Sequence, residues 1–501
     1  MLILSADHLP VPYRENADWF LHSIPFFECP DPSFQKIYYF RWDVYRKHIK
    51  HTPEGYVVTE FLPAVSWAGI YNTINATACH HLYEGRWLRT HEYLDDYARF
   101  WFHAKGATPR LYSAWLADAL YARFLVTGDA ELLITLLDDL VHNYTCWERE
   151  HLDANGLFWQ CDDRDGMEYQ ISGSGCRPTI NSYMFGDAVA IARIAELAGR
   201  AELAATYMAK AASIKALVQE HLWDPQAQFF KTLPTETALE AHRTFYADHP
   251  MEPHYAAGKL VDVREIQGYL PWYFLLPDTG YEAAWLQLRD SQGFAAPYGP
   301  STAERRHPYW WPAPTLYQHD CLWRGSSWPF ATSQTLTALA NLLNAYQQSY
   351  VSAHDYFTLL QGYVHTQYLR QQDGSVIPWI DESAHPDTGA WVTRETLYER
   401  GSKDKDRGRD YNHSTFVDHI ISGLLGLRPR QDDMIELRPL LPQGTWDYFC
   451  LDGVCYHGHL LTILYDHDGS HYEKGSGFQL FVDGKLAVTR SDLGTLQLIL
   501  T

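Results

Sequence analysis

The residues best suited to chemistry lie in three places. Residues 374–427 open with a Pro-Trp turn, carry the acidic pair Asp381-Glu382, and pass through a loop rich in carboxylates, His and Trp into an apolar helix. An ordinary connection needs no such mixture. Cutting an acetal bond does, because that reaction uses two carboxyl groups across the bond: one protonates the leaving oxygen, and the other activates water or attacks the sugar. A second acidic loop, residues 161–179, offers Asp162, Asp163, Asp165 and Glu168. Between the two in sequence stands Trp323-Arg324-Gly325-Ser326-Ser327-Trp328, where a guanidinium between two indoles can donate a forked hydrogen bond to sugar hydroxyls or to a carboxylate.

Around these lie residues with a functional and a structural reading each. Trp67, Tyr71 and Asn72 line a pocket or fill a core. Arg177 and Tyr183 follow the acid loop, and Arg177 either holds Glu168 or touches substrate. Tyr298 and Trp310-Trp311 form a sugar platform or pack against prolines, and Trp379 sits at the turn before the acidic pair. Tyr411-Asn412-His413-Ser414 closes the loop on the functional side, whereas Lys403–Asp410 reads as a solvated charged tip. Glu395 and Glu399 are the alternatives to Glu382. His80-His81, His319 and His413 tempt a metal reading, but their spacing fits no ligand motif, and 25 histidines supply chance clusters. No cofactor is expected.

The net charge of −21 repels a phosphate backbone, so nucleic acid is excluded as a partner and a neutral sugar is favoured over a polyanion. No 18-residue apolar run exists, which argues against a membrane span. The opening MLILSADHLPVP lacks the basic region of a signal peptide, and eight scattered cysteines read as reduced thiols, so the expected compartment is the cytoplasm. The chain is compatible with a homo-oligomer.

The elements that must position these residues are helical pairs. Residues 67–83 with 86–104, 112–126 with 130–151, 180–197 with 200–222, 262–276 with 281–292, and 328–350 with 353–371 show helical periodicity. Gly128 suits a left-handed C-cap and Asp129 an N-cap. Helices 34–50 and 414–426 make a sixth pair, which predicts a mainly α fold: an (α/α)6 six-hairpin toroid barrel over residues 34–427, preceded by an irregular segment 1–33. From residue 428 to 501 alternation and Asp-Gly turns at 452, 468 and 483 predict a small antiparallel β appendage.

The motifs resemble glycoside hydrolase family 63, which includes processing α-glucosidase I and mannosylglycerate hydrolase. WRGSSW is similar to that family's Trp-Arg-Gly-x-x-Trp, and Asp165-Gly166-Met167-Glu168 to its Ser-Gly-Met-Asp acid segment, with a related segment in trehalases. The stretch Asp381–Gly389 is similar to its Glu-Asn-Tyr-x-Pro-x-Thr-Gly base segment. The resemblance implies Glu168 as general acid, Glu382 as general base, an (α/α)6 barrel, no metal and inversion at an α-linkage; the leading reading is an inverting, exo-acting glycosidase on an α-linked neutral oligosaccharide or small glycoside. Glu at 168 where the family has Asp, and Asp at 165 where it has Ser, leave Asp165 as a second candidate acid or as an anion raising the pKa of Glu168. Two other readings stand beside this one: an epimerase or polysaccharide lyase using His413 or Tyr411 as base, and a non-catalytic sugar-binding protein. Absence of metal chemistry predicts that prolonged chelation leaves activity intact; loss restored by zinc or calcium would contradict it.

Overall fold

A computed structural model describes residues 3–246, 255–312 and 321–500. The protein is mainly helical, with a small antiparallel sheet formed mostly by its C-terminal residues. Among the described residues no helix is long and apolar enough to cross a membrane. All eight cysteines are free thiols, six of them buried.

The helix expected over 34–50 runs from Pro32 to His48. Asp31 caps it by accepting from the Ser33 N–H at 2.9 Å, Pro32 occupies the first turn, and Arg46, Lys47 and His48 face the negative end of its dipole. Leu116–Thr127 ends at Gly128, whose φ of +72° takes the left-handed cap, and Glu131–His151 starts one residue later than expected. Asp129 still accepts from the Glu131 N–H at 3.0 Å. Pro178–Leu197 and Ala201–His221 form as expected, as do Pro329–Ala345 and Ala353–Thr366 in shortened form.

Three expected helices fail for local reasons. Only Ala78–Gly85 of the 67–83 stretch is α-helical. Upstream, Asn72 adopts a φ of +61°, and its side chain bonds the carbonyls of Phe61 and Pro63 and the N–H of Val65 at 2.9–3.1 Å, offering the backbone an alternative to helix. The 262–292 region forms only short turns, Ile266–Tyr269, Leu270–Tyr273, Glu282–Trp285 and Leu286–Arg289. Here Pro271 interrupts the chain, and buried rings, Tyr269 on Trp285 at 4.1 Å, supply the cohesion. Within 392–410, expected to be loop, Val392–Glu399 is a helix.

The inner segments touch in series. Ala78–Gly85 packs on Leu116–Thr127, and that on Pro178–Leu197; Leu270–Tyr273 lies between the latter and Pro329–Ala345, which packs on His419–Leu424. His419–Leu424 is a π-helical turn within the stretch expected to be an α-helix. Polar contacts return the series to its start. The buried Glu84 carboxylate accepts the N–H groups of Phe416, Val417 and Asp418 at 3.0–3.1 Å, and Arg86 donates to Asp418 at 2.7 Å. Glu84 thus satisfies three N–H groups that a helix start leaves without intrahelical partners.

The main sheet has five antiparallel strands in the order Phe26–Glu28, Tyr448–Tyr456, His459–Asp466, Gly477–Val482, Lys485–Arg490, and Met434–Leu437 pairs with Leu496–Ile499. The segment 1–33, expected to be irregular, therefore contributes an edge strand. Of the expected turns, Asp483-Gly484 joins two strands, whereas Asp452 lies inside a strand beside a register shift, its carboxylate accepting from the N–H groups of Ile3 and Leu4.

Because three buried N–H groups depend on one carboxylate, Glu84→Ala is expected to lower the unfolding free energy by about 3–5 kcal/mol, measured by denaturant titration. A loss below about 1 kcal/mol would show that the 416–418 turn holds without it.

Candidate active site

The two acidic loops are brought to one cavity by the stretch between them. The Trp323 N–H donates to the carbonyl of Glu168 at 3.1 Å, and its indole Nε1 donates to Glu168 Oε2 at 2.7 Å. Four residues on, Ser327 and Ala384 exchange both backbone hydrogen bonds at 2.8 Å, fastening the Asp381–Ala384 segment to the same stretch. The rings of Trp323 and Trp328 stack at 4.1 Å and 10°. Beyond Glu168, Tyr169 is held at a φ of +53°, a conformation uncommon for a residue with a Cβ, and its carbonyl receives the Arg324 Nε–H at 2.7 Å.

Glu168 and Glu382 both line a cavity of about 470 Å³, together with Trp67, Trp323, Trp328, Tyr411 and His413. Glu382 accepts from Arg407 at 2.9 and 3.2 Å and from its neighbour Cys321 at 3.9 Å. Tyr411 donates its hydroxyl to the buried Glu60 and stacks on His413 with ring centroids 3.7 Å apart. The His413 nitrogens have no hydrogen-bond partner among the described residues.

Other expected site residues lie elsewhere. Asp165 is not in the cavity wall: it is fully buried against Arg177 Nε at 2.7 Å and accepts from Thr179. This corrects the expectation that Asp165 is the anion beside Glu168; that place belongs to Asp163, which lines the cavity. Arg177, committed to Asp165, Gly173 and Gln170, is a buried tie within its own loop, away from Glu168 and the cavity. Arg324 turns its Nε to the backbone of the acid loop and not into the cavity. Trp379 donates to Asp381 at 3.2 Å and lines a second cavity of about 630 Å³ with Tyr13 and Lys36. Tyr298 packs against Gly389, and Trp310 donates to Ser301 at 2.9 Å. Tyr183 accepts from Gln334 at 2.7 Å.

Among the wall residues that escaped sequence reasoning are Glu60, Tyr112, Arg164 and Arg407. Glu60 had a signal, a single charge inside the apolar run Val57-Val58-Thr59-Glu60-Phe61-Leu62. Arg407 belongs to the run read as a solvated tip, yet it reaches the cavity, its guanidinium over Trp67 at 5.1 Å. Arg164 lies over the rings of Tyr112 and Phe245 at 5.2 and 5.0 Å.

Burial governs the electrostatics. It drives Glu168 well above the usual carboxylate range, with Asp163 adding to the rise against the pull of Trp323. Burial likewise lifts Asp163 to about 6, against Arg164, and Asp381 to about 7, with Glu382 adding. Glu60 is pushed up to about 8 by burial and by Glu382, against the Tyr411 hydroxyl. His413 and His80 are driven downward by burial and are neutral rings at physiological pH. Among the described residues no group of three His, Cys, Asp or Glu side chains could hold a metal ion, and His319 lies outside them.

Gly408 approaches Asp381 so closely that a Cβ there would stand 1.9 Å from its Oδ1. Gly408→Ala is expected to shift the Asp381-Glu382 segment and lower kcat/KM by about tenfold or more, since misplacement by 1 Å costs up to about a hundredfold. Circular dichroism should stay unchanged; full activity would mean the segment tolerates the shift.

A family model for the mannosylglycerate hydrolase MGH1-like glycoside hydrolase domain matches residues 70–176 and 172–414, and one for the glycosyl hydrolase family 65 C-terminal domain matches 427–488. A solved structure described as "Sialidase" is 42% identical and superposes with a TM-score of 0.86, covering 97% of this chain; the chain spans 42% of that protein's length. The family 63 mannosylglycerate hydrolase from Thermus thermophilus in complex with glucose shares the fold at 12% identity and a TM-score of 0.52, over 77% of this chain and 98% of its own. The family 78 rhamnosidase of Bacillus sp. GL1 does so at 12% identity and 0.58, over 91% of this chain and 41% of its own. The chain belongs to the mannosylglycerate hydrolase MGH1-like glycoside hydrolase family.

Proposed function

We propose that the protein is an exo-acting, inverting glycosidase on an (α/α)6 barrel spanning residues 34–427, with residues 428–501 and the Phe26–Glu28 strand as a β domain. Glu168 protonates the leaving oxygen, and Glu382 takes a proton from the water that attacks the anomeric carbon from the opposite face. The observation that carries this reading is the shared cavity: two carboxyls from separate loops face one space, and burial raises Glu168 in the direction that a general acid requires. The small cavity favours a terminal sugar over an internal one.

We favour an anionic sugar, a sialic acid, over the neutral one expected from net charge. The relative at 42% identity is described as a sialidase. The cavity itself supports the choice. With Glu60 raised to about 8 and Asp163 to about 6, the cavity wall that carries the guanidiniums of Arg164 and Arg407 holds less negative charge at mildly acidic pH than its carboxyl groups suggest. A lyase or epimerase finds less support, because Tyr411 is committed to Glu60 and burial raises its pKa further.

An α-linked sialoside is expected to be hydrolysed in preference to α-glucosides and α-mannosides, with the first product, followed by proton NMR, appearing as the opposite anomer. Retention of configuration would place the carboxyls at the nucleophilic spacing of roughly 5–5.5 Å instead of roughly 6.5–9.5 Å. Glu382→Gln is expected to fold and lose about 10²–10⁴ in kcat/KM; a folded variant with more than about a tenth of the activity would move the base to another residue.

A further inference from the structure

Glu60 has no part in the two-carboxyl scheme, yet it lines the same cavity and is 5% exposed. Its Oε1 accepts the Tyr411 hydroxyl, and its backbone carbonyl accepts the Asn412 N–H at 3.0 Å, so the carboxyl is fixed from one side. Its Oε2 is buried and has no hydrogen-bond partner among the described residues. An unpartnered polar atom in a dry wall is costly unless a ligand satisfies it. Tyr411 in turn is clamped between Phe61, at 4.6 Å, and His413. The phenol can therefore turn neither to solvent nor to another acceptor.

We propose that Glu60 is a substrate-recognition residue, whose Oε2 hydroxyl donates a hydrogen bond to the carboxylate of the sugar while Tyr411 holds Oε1. This rests on the reading of the substrate as a carboxylated sugar. A carboxylic acid paired with a carboxylate shares one proton between two acceptors, and an ionised Glu60 would instead repel the ligand. Burial and the neighbouring Glu382 supply the condition, since they hold Glu60 up to about 8. The other titratable groups around it are Tyr411, Tyr97 and Tyr112, all driven upward by burial, and, in the same cavity wall, Glu168 and Asp163, also driven upward, His413, driven downward, and the guanidiniums of Arg164 and Arg407. The sign follows: Glu60 donates below its raised pKa, and sialoside recognition is lost as pH rises through it.

The test compares wild type, Glu60→Gln and Glu60→Ala. The substrates are an α-sialoside, its methyl ester and a neutral α-glucoside, between about pH 6 and pH 9. Calorimetry with free sialic acid gives a readout apart from turnover. Wild type is expected to bind sialic acid more weakly and to show a rising KM above about pH 8. Glu60→Gln, which keeps a donor but cannot ionise, should remain within about threefold of wild type at pH 6 and lose that pH dependence. Glu60→Ala should raise KM for the sialoside by about ten- to a hundredfold, far more than for the methyl ester. A folded Glu60→Gln that loses kcat at every pH would overturn the proposal, because Glu60 would then work ionised. An unchanged KM in Glu60→Ala would overturn it too. If wild type cleaves the glucoside and no sialoside, the substrate reading itself falls, and this inference with it; cleavage of the sialoside with no effect at position 60 removes this inference alone.

Discussion

The site depends on the hydrogen bonds that the 323–328 stretch makes in two directions. One end binds Glu168 by both its carbonyl and its carboxylate; the other exchanges a pair of backbone bonds with the segment carrying Asp381 and Glu382. The proposed acid and base must stay at a set separation through turnover, and side-chain contacts alone would leave long glutamates free to drift. Here the separation is fixed by backbone ties to one rigid strip, stiffened by the stacked indoles of Trp323 and Trp328. Arg324 contributes by gripping the Tyr169 carbonyl next to Glu168, where the backbone takes up an uncommon conformation. The motif thus works mainly as a frame, and its charged residue faces the frame and not the cavity.

Around that frame, exclusion of water does the electrostatic sorting. The same burial that raises Glu168 also raises Glu60, Asp163 and Asp381, so a cavity rich in carboxyl groups carries less negative charge than its composition suggests. The histidines go the other way, becoming neutral aromatic surface: His81 is engaged by the Asn412 carbonyl at 2.6 Å, and His413 is a plate under Tyr411. Net charge over the whole chain is therefore a poor guide to the charge that a ligand meets here.

Much of this was legible in the sequence. Periodicity, with Gly128 as a cap, marked the long helices, and the resemblance of the acidic segments and WRGSSW to a known family brought Glu168 and Glu382 forward. What was hidden is tertiary. Nothing local says that the charged run 403–410 folds back so that Arg407 reaches Glu382, or that Asp165 turns to Arg177 while its near neighbour Asp163 faces the cavity. Asn72 shows the other limit: its side chain takes over backbone bonding and ends a helix that hydrophobic spacing favoured. The wider turn at His419–Leu424 has the same apolar pattern as an α-helix, so periodicity does not separate the two.

The strand Phe26–Glu28 pairs with Tyr448–Tyr456, more than 400 residues later in the chain, and Asp452 binds the backbone of Ile3 and Leu4. A protein made from its N-terminus forward must keep this first strand waiting while the helices emerge. The apolar side chains of Phe26 and Phe27, fully buried in the finished molecule, are without their cover throughout that interval. Closing so long a loop is entropically slow and exposes an unpaired strand edge to other chains. Nascent chains should thus depend on dilution or on chaperones until synthesis passes residue 456, and removal of the last strands would leave the N-terminal segment sticky rather than merely shorten the protein.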